Sequence, residues 1–220
     1  MPTVLNEIEI RVLASLIEKQ ITTPEYYPLT LNSLTLACNQ KNNRNPVTSY
    51  SESTVSDALE RLREKNLAYV FYGSTSRVPK YKHVMPEVMH LTPPQLAVMC
   101  VLMLRGTQTP GELRGNGSRL YPFSGLDEIE QTLDSLINHE DGPLVVRLSR
   151  QPGQKEMRFA HLLSGPTDLE EMTQLESSAR TRQRSGDSER LEQLENQVSA
   201  LTADLRTLRE QFQAFTEQFK

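Results

Sequence analysis

The sequence repeats itself at a distance of 86 residues, and this duplication restricts the possible folds more than any other feature. The segment "LNEIEIRVLASLIEKQITTP" (5–24) aligns with "LTPPQLAVMCVLMLRGTQTP" (91–110). Apolar residues recur at helical spacing in both segments, and each helix begins beside a capping candidate, Asn6 or Thr92. A repeat of this length indicates two copies of one structural unit.

The repeat continues beyond the first helix with different loop lengths. Apolar residues at helical spacing predict a second long helix in each copy, around Val55 and Leu59 and around Ile129 and Leu133. Shorter segments predict a middle helix and two strands per copy: 30–38, 67–72 and 80–84 in the first, and 109–115, 144–148 and 158–162 in the second. Helix, short helix, helix, strand, loop, strand is the order of a winged helix-turn-helix.

The predicted fold class is therefore α+β, mainly α, with two tandem winged helix-turn-helix domains followed by a coiled-coil helix. We place the first domain at residues 1–87 and the second at 88–163. Residues 164–187 are polar and predict a flexible linker, and residues 188–220 carry the coiled coil.

The coiled-coil prediction rests on apolar residues spaced alternately three and four apart after Ser188. This spacing predicts a homodimer with a seam formed by Leu191, Leu194, Val198, Leu201, Leu205, Leu208, Phe212 and Phe215. A parallel pair sets Arg190 against Glu195 and Asp204 against Arg209 of the other helix. An antiparallel pair sets Asp204 against its own copy, so the charges favour the parallel arrangement modestly.

Four segments resemble one known family. "EKQITTPEYYPLTLNSLTLACNQKNNRNPV", "LRGTQTPGELR", "EDGPLVVRL" and "HLLSG" are similar to the YceH family of bacterial proteins, and the resemblance covers the whole chain. It implies two winged-helix domains in a cytoplasmic bacterial protein. It implies no established activity, and no catalytic or binding residue is transferred from it.

Composition and charge limit where in the cell the protein is expected and which partners it is expected to bind. Cys38 and Cys100 lie in apolar contexts without metal-ligand spacing, and the sequence shows neither a signal peptide nor an apolar run long enough to span a bilayer. We therefore expect a soluble, cytoplasmic protein. The net charge of −4 divides into +1, −1 and −4 over the two domains and the remainder. No domain is strongly basic, which argues against tight nucleic-acid binding.

The first domain nevertheless contains candidate contacts for double-stranded DNA. The connection before its second long helix contains "NQKNNRNPV", that helix (52–66) exposes polar residues, and the wing (72–83) is basic. The candidates are Lys41, Asn42, Asn43, Arg44, Thr54, Arg61, Arg77, Lys80 and Lys82. The alternative is that the asparagines and Pro46 only cap helix ends and form a turn.

The second domain has the opposite charge on its long helix. This helix exposes Asp127, Glu128, Glu130 and Asp134 and contains neither Lys nor Arg. Such a face is repelled by duplex DNA. We expect the second domain to bind a protein partner or to act as a spacer.

The motifs do not predict an enzyme, a cofactor or a metal site. The four histidines are isolated, and His83 and His161 occupy equivalent strand positions, which favours packing roles. "GELRGNG" matches neither a P-loop nor a dinucleotide fingerprint. Two hypotheses remain: a dimeric DNA-binding protein related to transcription, or an interaction scaffold in which winged helices and coiled coil bind proteins.

Deletion of residues 188–220 tests the predicted coiled coil. The full chain should sediment as a dimer, because the apolar seam is buried only between two helices. The truncated chain should sediment as a monomer and keep its circular dichroism melting transition. A monomeric full-length chain at micromolar concentration would exclude the coiled-coil homodimer.

Overall fold

The structure, a computed structural model, describes residues 4–72, 78–149 and 156–165. Over these residues the fold is α+β and mainly helical, which confirms the predicted class at that level. The helices are α1 (Glu7–Thr22), α2 (Leu31–Cys38), α3 (Glu52–Glu64), α4 (Met85–Val88), α5 (Pro93–Arg105), α6 (Pro110–Gly117) and α7 (Leu126–Ile137). The strands are β1 (Leu29–Thr30), β2 (Ala68–Phe71), β3 (Lys80–His83), β4 (Val145–Arg147) and β5 (Phe159–His161).

Helix α1 begins with a reciprocal cap. The Asn6 side chain accepts from the Glu9 amide, and the Glu9 carboxylate accepts from the Asn6 amide, both at 2.9 Å. All residues from Glu9 to Glu18 are buried. A helix buried on every side lies at the centre of its domain, and α1 packs against α2, α3 and α5.

The first half places a three-stranded sheet beside α1, α2 and α3. Thr30 and Ser51 cap α2 and α3, as their hydroxyl oxygens accept backbone amides at 3.3 and 3.2 Å. The sheet order is β1–β3–β2, and both pairings are antiparallel. Sequence analysis missed β1, since two residues show no alternation and depend on pairing with β3.

The second half repeats this order with α5, α6, α7, β4 and β5. Thr92 and Thr109 cap α5 and α6 in capping boxes. Strands β4 and β5 pair antiparallel, and Gln108 forms an isolated antiparallel bridge with Phe159 on β5. Gln108 thus occupies, before α6, the position that β1 occupies before α2.

The two halves meet through their first helices, α1 and α5. The Cys100 thiol donates to the Ala14 carbonyl oxygen at 3.5 Å, and these residues are counterparts in the 86-residue repeat. A contact between counterparts is what a two-fold relation between the copies produces. The described residues form one compact unit. The predicted boundary between residues 87 and 88 therefore stays a prediction.

The sequence predicts packing roles for two histidines at equivalent strand positions, one in each half. His83 and His161 are both buried, which confirms packing positions for the two counterparts. Burial lowers the pKa of each imidazole to about 4; the charge of Lys82 contributes to the shift at His83. Among the described residues, each ring has one nitrogen without a hydrogen-bond partner, His83 Nε2 and His161 Nδ1.

Within the described residues, no helix is long and apolar enough to cross a membrane. The predicted linker, from residue 166 on, and all residues of the predicted coiled-coil seam lie outside the described part of the chain.

The buried histidines predict a loss of stability between pH 7 and pH 5. Their pKa is about 4 in the folded chain and near 6.5 when unfolded, so below pH 6.5 the unfolded chain binds more protons. Each histidine should lower the free energy of unfolding by about 2 kcal/mol at pH 5 relative to pH 7. Urea unfolding at the two pH values measures this difference.

Two variants control for other titrating groups. His83→Phe should remove about half of the histidine contribution, and so should His161→Phe at the counterpart position. Equal pH dependence in all three proteins would contradict the assignment.

Candidate nucleic-acid interface

The connection between α2 and α3, residues 39–51, is closed by the side chain of Asn39. Its amide nitrogen donates to the Tyr50 carbonyl oxygen, and its amide oxygen accepts from the Tyr50 amide, both at 2.8 Å. Thr48 adds a bond to the Cys38 carbonyl oxygen at 3.2 Å. Asn39 therefore acts as a turn-forming residue, as the alternative interpretation of this segment expected.

Arg44 lies inside this connection, with a side chain that is 0% exposed. Its guanidinium donates to both oxygens of the buried Glu18 carboxylate and to the Ala37 carbonyl oxygen. Arg119 reaches the same carboxylate at 2.6 Å. The expectation that Arg44 contacts a phosphate does not fit this burial, and we leave it out of the interface.

The Glu18 carboxylate stays charged in this environment. Burial alone would raise its pKa, but the bonds and charges of Arg44 and Arg119 outweigh that effect and lower the pKa. Arg11, also on α1, donates to the carbonyl oxygens of Cys38 and Pro46 at 3.3 and 2.7 Å. The connection is thus held onto α1 by buried charged groups.

The two asparagines beside Arg44 face α5. Asn43, at a positive φ of 59°, accepts from the Arg105 guanidinium at 3.2 Å, and the Asn45 amide donates to the Leu104 carbonyl oxygen at 2.9 Å. Only Lys41 and Asn42 among the predicted contacts of this segment are exposed. They lie in the α2–α3 connection, three and four residues after Cys38, the last residue of α2.

The Lys and Arg side chains on α3 and at its C-terminal end form ion pairs with carboxylates of the same chain. Arg61 and Lys65 both donate to the buried Glu9 carboxylate, at 2.9 and 2.7 Å, and Arg63 pairs with Glu60 on its own helix. Burial by itself would raise the pKa of Glu9, but the Lys65 bond and the other donors lower it. The mixed charge predicted for α3 thus forms ion pairs, and Arg61 bonds Glu9 through Nε while its side chain stays 41% exposed.

The N-terminus of α3 is polar and lies beside that of α2. The Asn32 amide on α2 donates to Glu52 at 3.0 Å. Thr54, the predicted contact here, is half-buried, and its hydroxyl lies 2.8 Å from the Ser51 hydroxyl.

The outer face of the first sheet carries the two predicted wing lysines. Tyr69 pairs with Lys82 and Phe71 with Lys80, so these four side chains share the face opposite the buried Tyr81. The Lys82 ammonium lies 5.9 Å from the centroids of both aromatic rings. We call Tyr69, Phe71, Lys80 and Lys82 the wing face. Neither lysine pairs with a carboxylate of the described residues.

Sequence analysis missed Tyr69 and Phe71 as members of this surface. Both are about two-fifths exposed, at 39% and 40%. The alternation of side chains along β2 indicates that Tyr69 and Phe71 share one face, since Ala68 and Val70 point to the opposite side. Thr30 pairs with Lys80 across β1 and β3, which brings the wing face next to the N-terminus of α2. Arg77 lies outside the described residues.

Helix α7 of the second half has an acidic outer face. Asp127, Glu130 and Asp134 are exposed, and Glu128 is half-buried, with its carboxylate accepting from the Ser124 amide and hydroxyl. Among the described residues, no group of His, Cys, Asp and Glu is arranged to hold a metal ion. The thiols of Cys38 and Cys100 are buried, and burial raises the pKa of both.

Comparison with known proteins settles the family. The family described as "Protein of unknown function, DUF480" matches residues 5–154. The chain belongs to this family. A "UPF0502 protein" of Opitutus terrae is 49% identical over 90% of the chain and 83% of its own length, and one of Geobacter sulfurreducens is 48% identical over the full length of both. One from Vibrio atlanticus is 45% identical over 95% of the chain and 97% of its length. The resemblance to an uncharacterised bacterial family is confirmed.

Substitution of Arg44 and Lys41 separates a structural cation from an exposed one. Arg44→Ala should lower the free energy of unfolding by about 3–5 kcal/mol, because it breaks a buried ion pair with Glu18. Lys41→Ala should change it by less than about 0.5 kcal/mol, since its side chain lies on the surface. Guanidinium chloride unfolding of both variants provides the comparison. Similar small effects would mean that Arg44 is not a structural residue.

Proposed function

We propose that the chain is a non-enzymatic, dimeric, cytoplasmic DNA-binding protein built from two tandem winged helix-turn-helix domains. The element order supports this architecture: α1, α2, α3, β2 and β3 in the first half have counterparts α5, α6, α7, β4 and β5 in the second. The first domain contacts double-stranded DNA through its wing. The coiled coil joins two chains in parallel.

The wing face is the observation that carries this proposal. It presents two lysines without carboxylate partners in the described part of the chain, beside two partly exposed aromatic rings. Ammonium groups bind phosphates as point charges, and aromatic side chains contact sugars and bases. The wing connection adds Arg77 by sequence and contains no acidic residue between Tyr72 and His83.

We infer a lesser role for α3 than a recognition helix usually has. Its cations are held by Glu9 and Glu60, while Glu52 and Asp57 lie on its exposed surface. We therefore expect the wing to supply most of the affinity and α3 to contribute polar contacts from its N-terminus, near Thr54. Binding of this kind is weak, salt-dependent and indifferent to sequence.

Dimerisation compensates for the weakness of each domain. Two nearly neutral domains joined in one dimer bind the same duplex with a raised effective concentration. The alternative function, a protein-interaction scaffold, is supported by the same exposed aromatic residues if the wing face binds protein. DNA titrations distinguish these two functions.

The double variant Lys80→Gln with Lys82→Gln tests the wing. Anisotropy of a fluorescein-labelled duplex of mixed sequence, titrated over a range of salt concentrations, gives the slope of log affinity against log salt. Each lost phosphate contact reduces the magnitude of this slope by about 0.9, so the double variant should reduce it by about 1.8. The loss of affinity should be similar on unrelated sequences, since the contacts are to the backbone.

A matched control removes two cations elsewhere. Lys19→Gln with Arg114→Gln changes the net charge by the same amount but leaves the wing face intact, and its slope should equal that of the unmodified chain. The labelled single strand serves as a second probe, because stacking on Tyr69 and Phe71 would favour it over the duplex. Wing and control variants with the same slope, or an unmodified chain that binds neither probe, would favour the scaffold.

A further inference from the structure

The second half contains a groove between α7 and the β4–β5 hairpin, at the position equivalent to the wing and α3 of the first half. Its volume is about 480 Å³, within the range of sites that hold small ligands or a few residues of a peptide. The wall on one side is formed by Leu126, Glu130 and Asp134, spaced four residues apart along α7. This spacing places them on one helix face.

The groove combines exposed apolar side chains with acidic ones. Leu126 at one end is 45% exposed and Met157 on the hairpin side is 36% exposed. Glu130, Asp134 and Glu156 bring negative charge to the same groove. Isolated exposed apolar residues are ordinary on a surface, but apolar residues within a concave, charged groove are typical of binding sites.

Arg147 is the only cation among the described residues that line the groove, and its side chain already contacts other residues of the chain. Its guanidinium pairs with Asp134 at 3.4 Å and lies 5.5 Å from the centre of the Phe159 ring. This arrangement leaves Glu130 and Glu156 without an ion-pair partner among the described residues. The lining therefore has net negative charge and repels nucleic acid.

We propose that this groove binds an extended peptide segment of a partner protein, in which Lys or Arg alternates with apolar side chains. Glu130 and Asp134 are separated by about 6 Å along the helix axis, and every second side chain of an extended peptide is separated by about 6.6 Å. Two cations at alternate positions thus reach both carboxylates, the one at Asp134 through Oδ2, since Arg147 pairs with Oδ1. The apolar side chains lie on the other side of the extended peptide and contact Met157 on the hairpin side of the groove.

This interaction is independent of the proposed DNA binding, since it uses a different half of the chain and the opposite charge. The two halves then have separate partners, with lysines on the wing face of one and carboxylates in the groove of the other. The groove lies on the hairpin face that includes Phe159, the counterpart of Tyr81, whereas the wing face is the opposite face of its sheet.

The test uses the full chain and a fluorescein-labelled nine-residue peptide in which arginine alternates with leucine. Fluorescence anisotropy should show saturable binding that weakens with added salt. The same peptide with glutamate in place of arginine should not bind. The double variant Glu130→Gln with Asp134→Asn should weaken binding about tenfold, the combined effect of two exposed ion pairs.

Two further variants make the result specific to the groove. Asp127→Asn with Glu140→Gln removes the same charge from exposed positions outside the groove lining and should leave the affinity unchanged. Met157→Ser should also weaken binding, and this loss should persist at high salt. Equal losses in the groove and control variants, no effect of Met157→Ser, or absence of saturable binding to the unmodified chain would each overturn the proposal.

Discussion

The burial of charged residues on α1 is the constraint on which the rest of the structure depends. Helix α1 is enclosed from Glu9 to Glu18, yet this span includes two carboxylates and the guanidinium of Arg11. An unpaired charge in such a place is strongly destabilising, so each needs partners from elsewhere in the chain. Glu9 takes cations from α3, Arg11 takes carbonyl oxygens from the α2–α3 connection, and Glu18 takes Arg44 and Arg119.

These internal ion pairs determine which Lys and Arg side chains stay available to contact a binding partner. Arg61 and Lys65 hold α3 against α1 through Glu9, and Arg44 holds the α2–α3 connection through Glu18. Arg119, which follows α6, reaches the same Glu18 carboxylate and ties the second half to the first. The proposed nucleic-acid surface therefore relies on residues that α1 does not engage. On the first sheet, Lys80 and Lys82 meet that requirement.

The repeat supplied two equivalent frameworks with different charges. In the first, lysines and aromatic rings lie on the strand face beside the N-terminus of α2. In the second, carboxylates of α7 line a groove against the hairpin. Equivalent backbone geometry with opposite charge favours different classes of partner, because a fold positions side chains but does not choose their chemistry.

The sequence by itself determined the features that depend on local interactions. Periodicity located the long helices, Asn6 and Thr92 located the starts of α1 and α5, and the second strand of each copy paired His83 with His161. Tertiary structure alone decided which polar residues are exposed. Arg44 and Lys41 look alike in the sequence, but Arg44 is buried because Glu18, 26 residues away, requires a counter-charge. Such pairings join distant segments, so neither spacing nor composition reveals them.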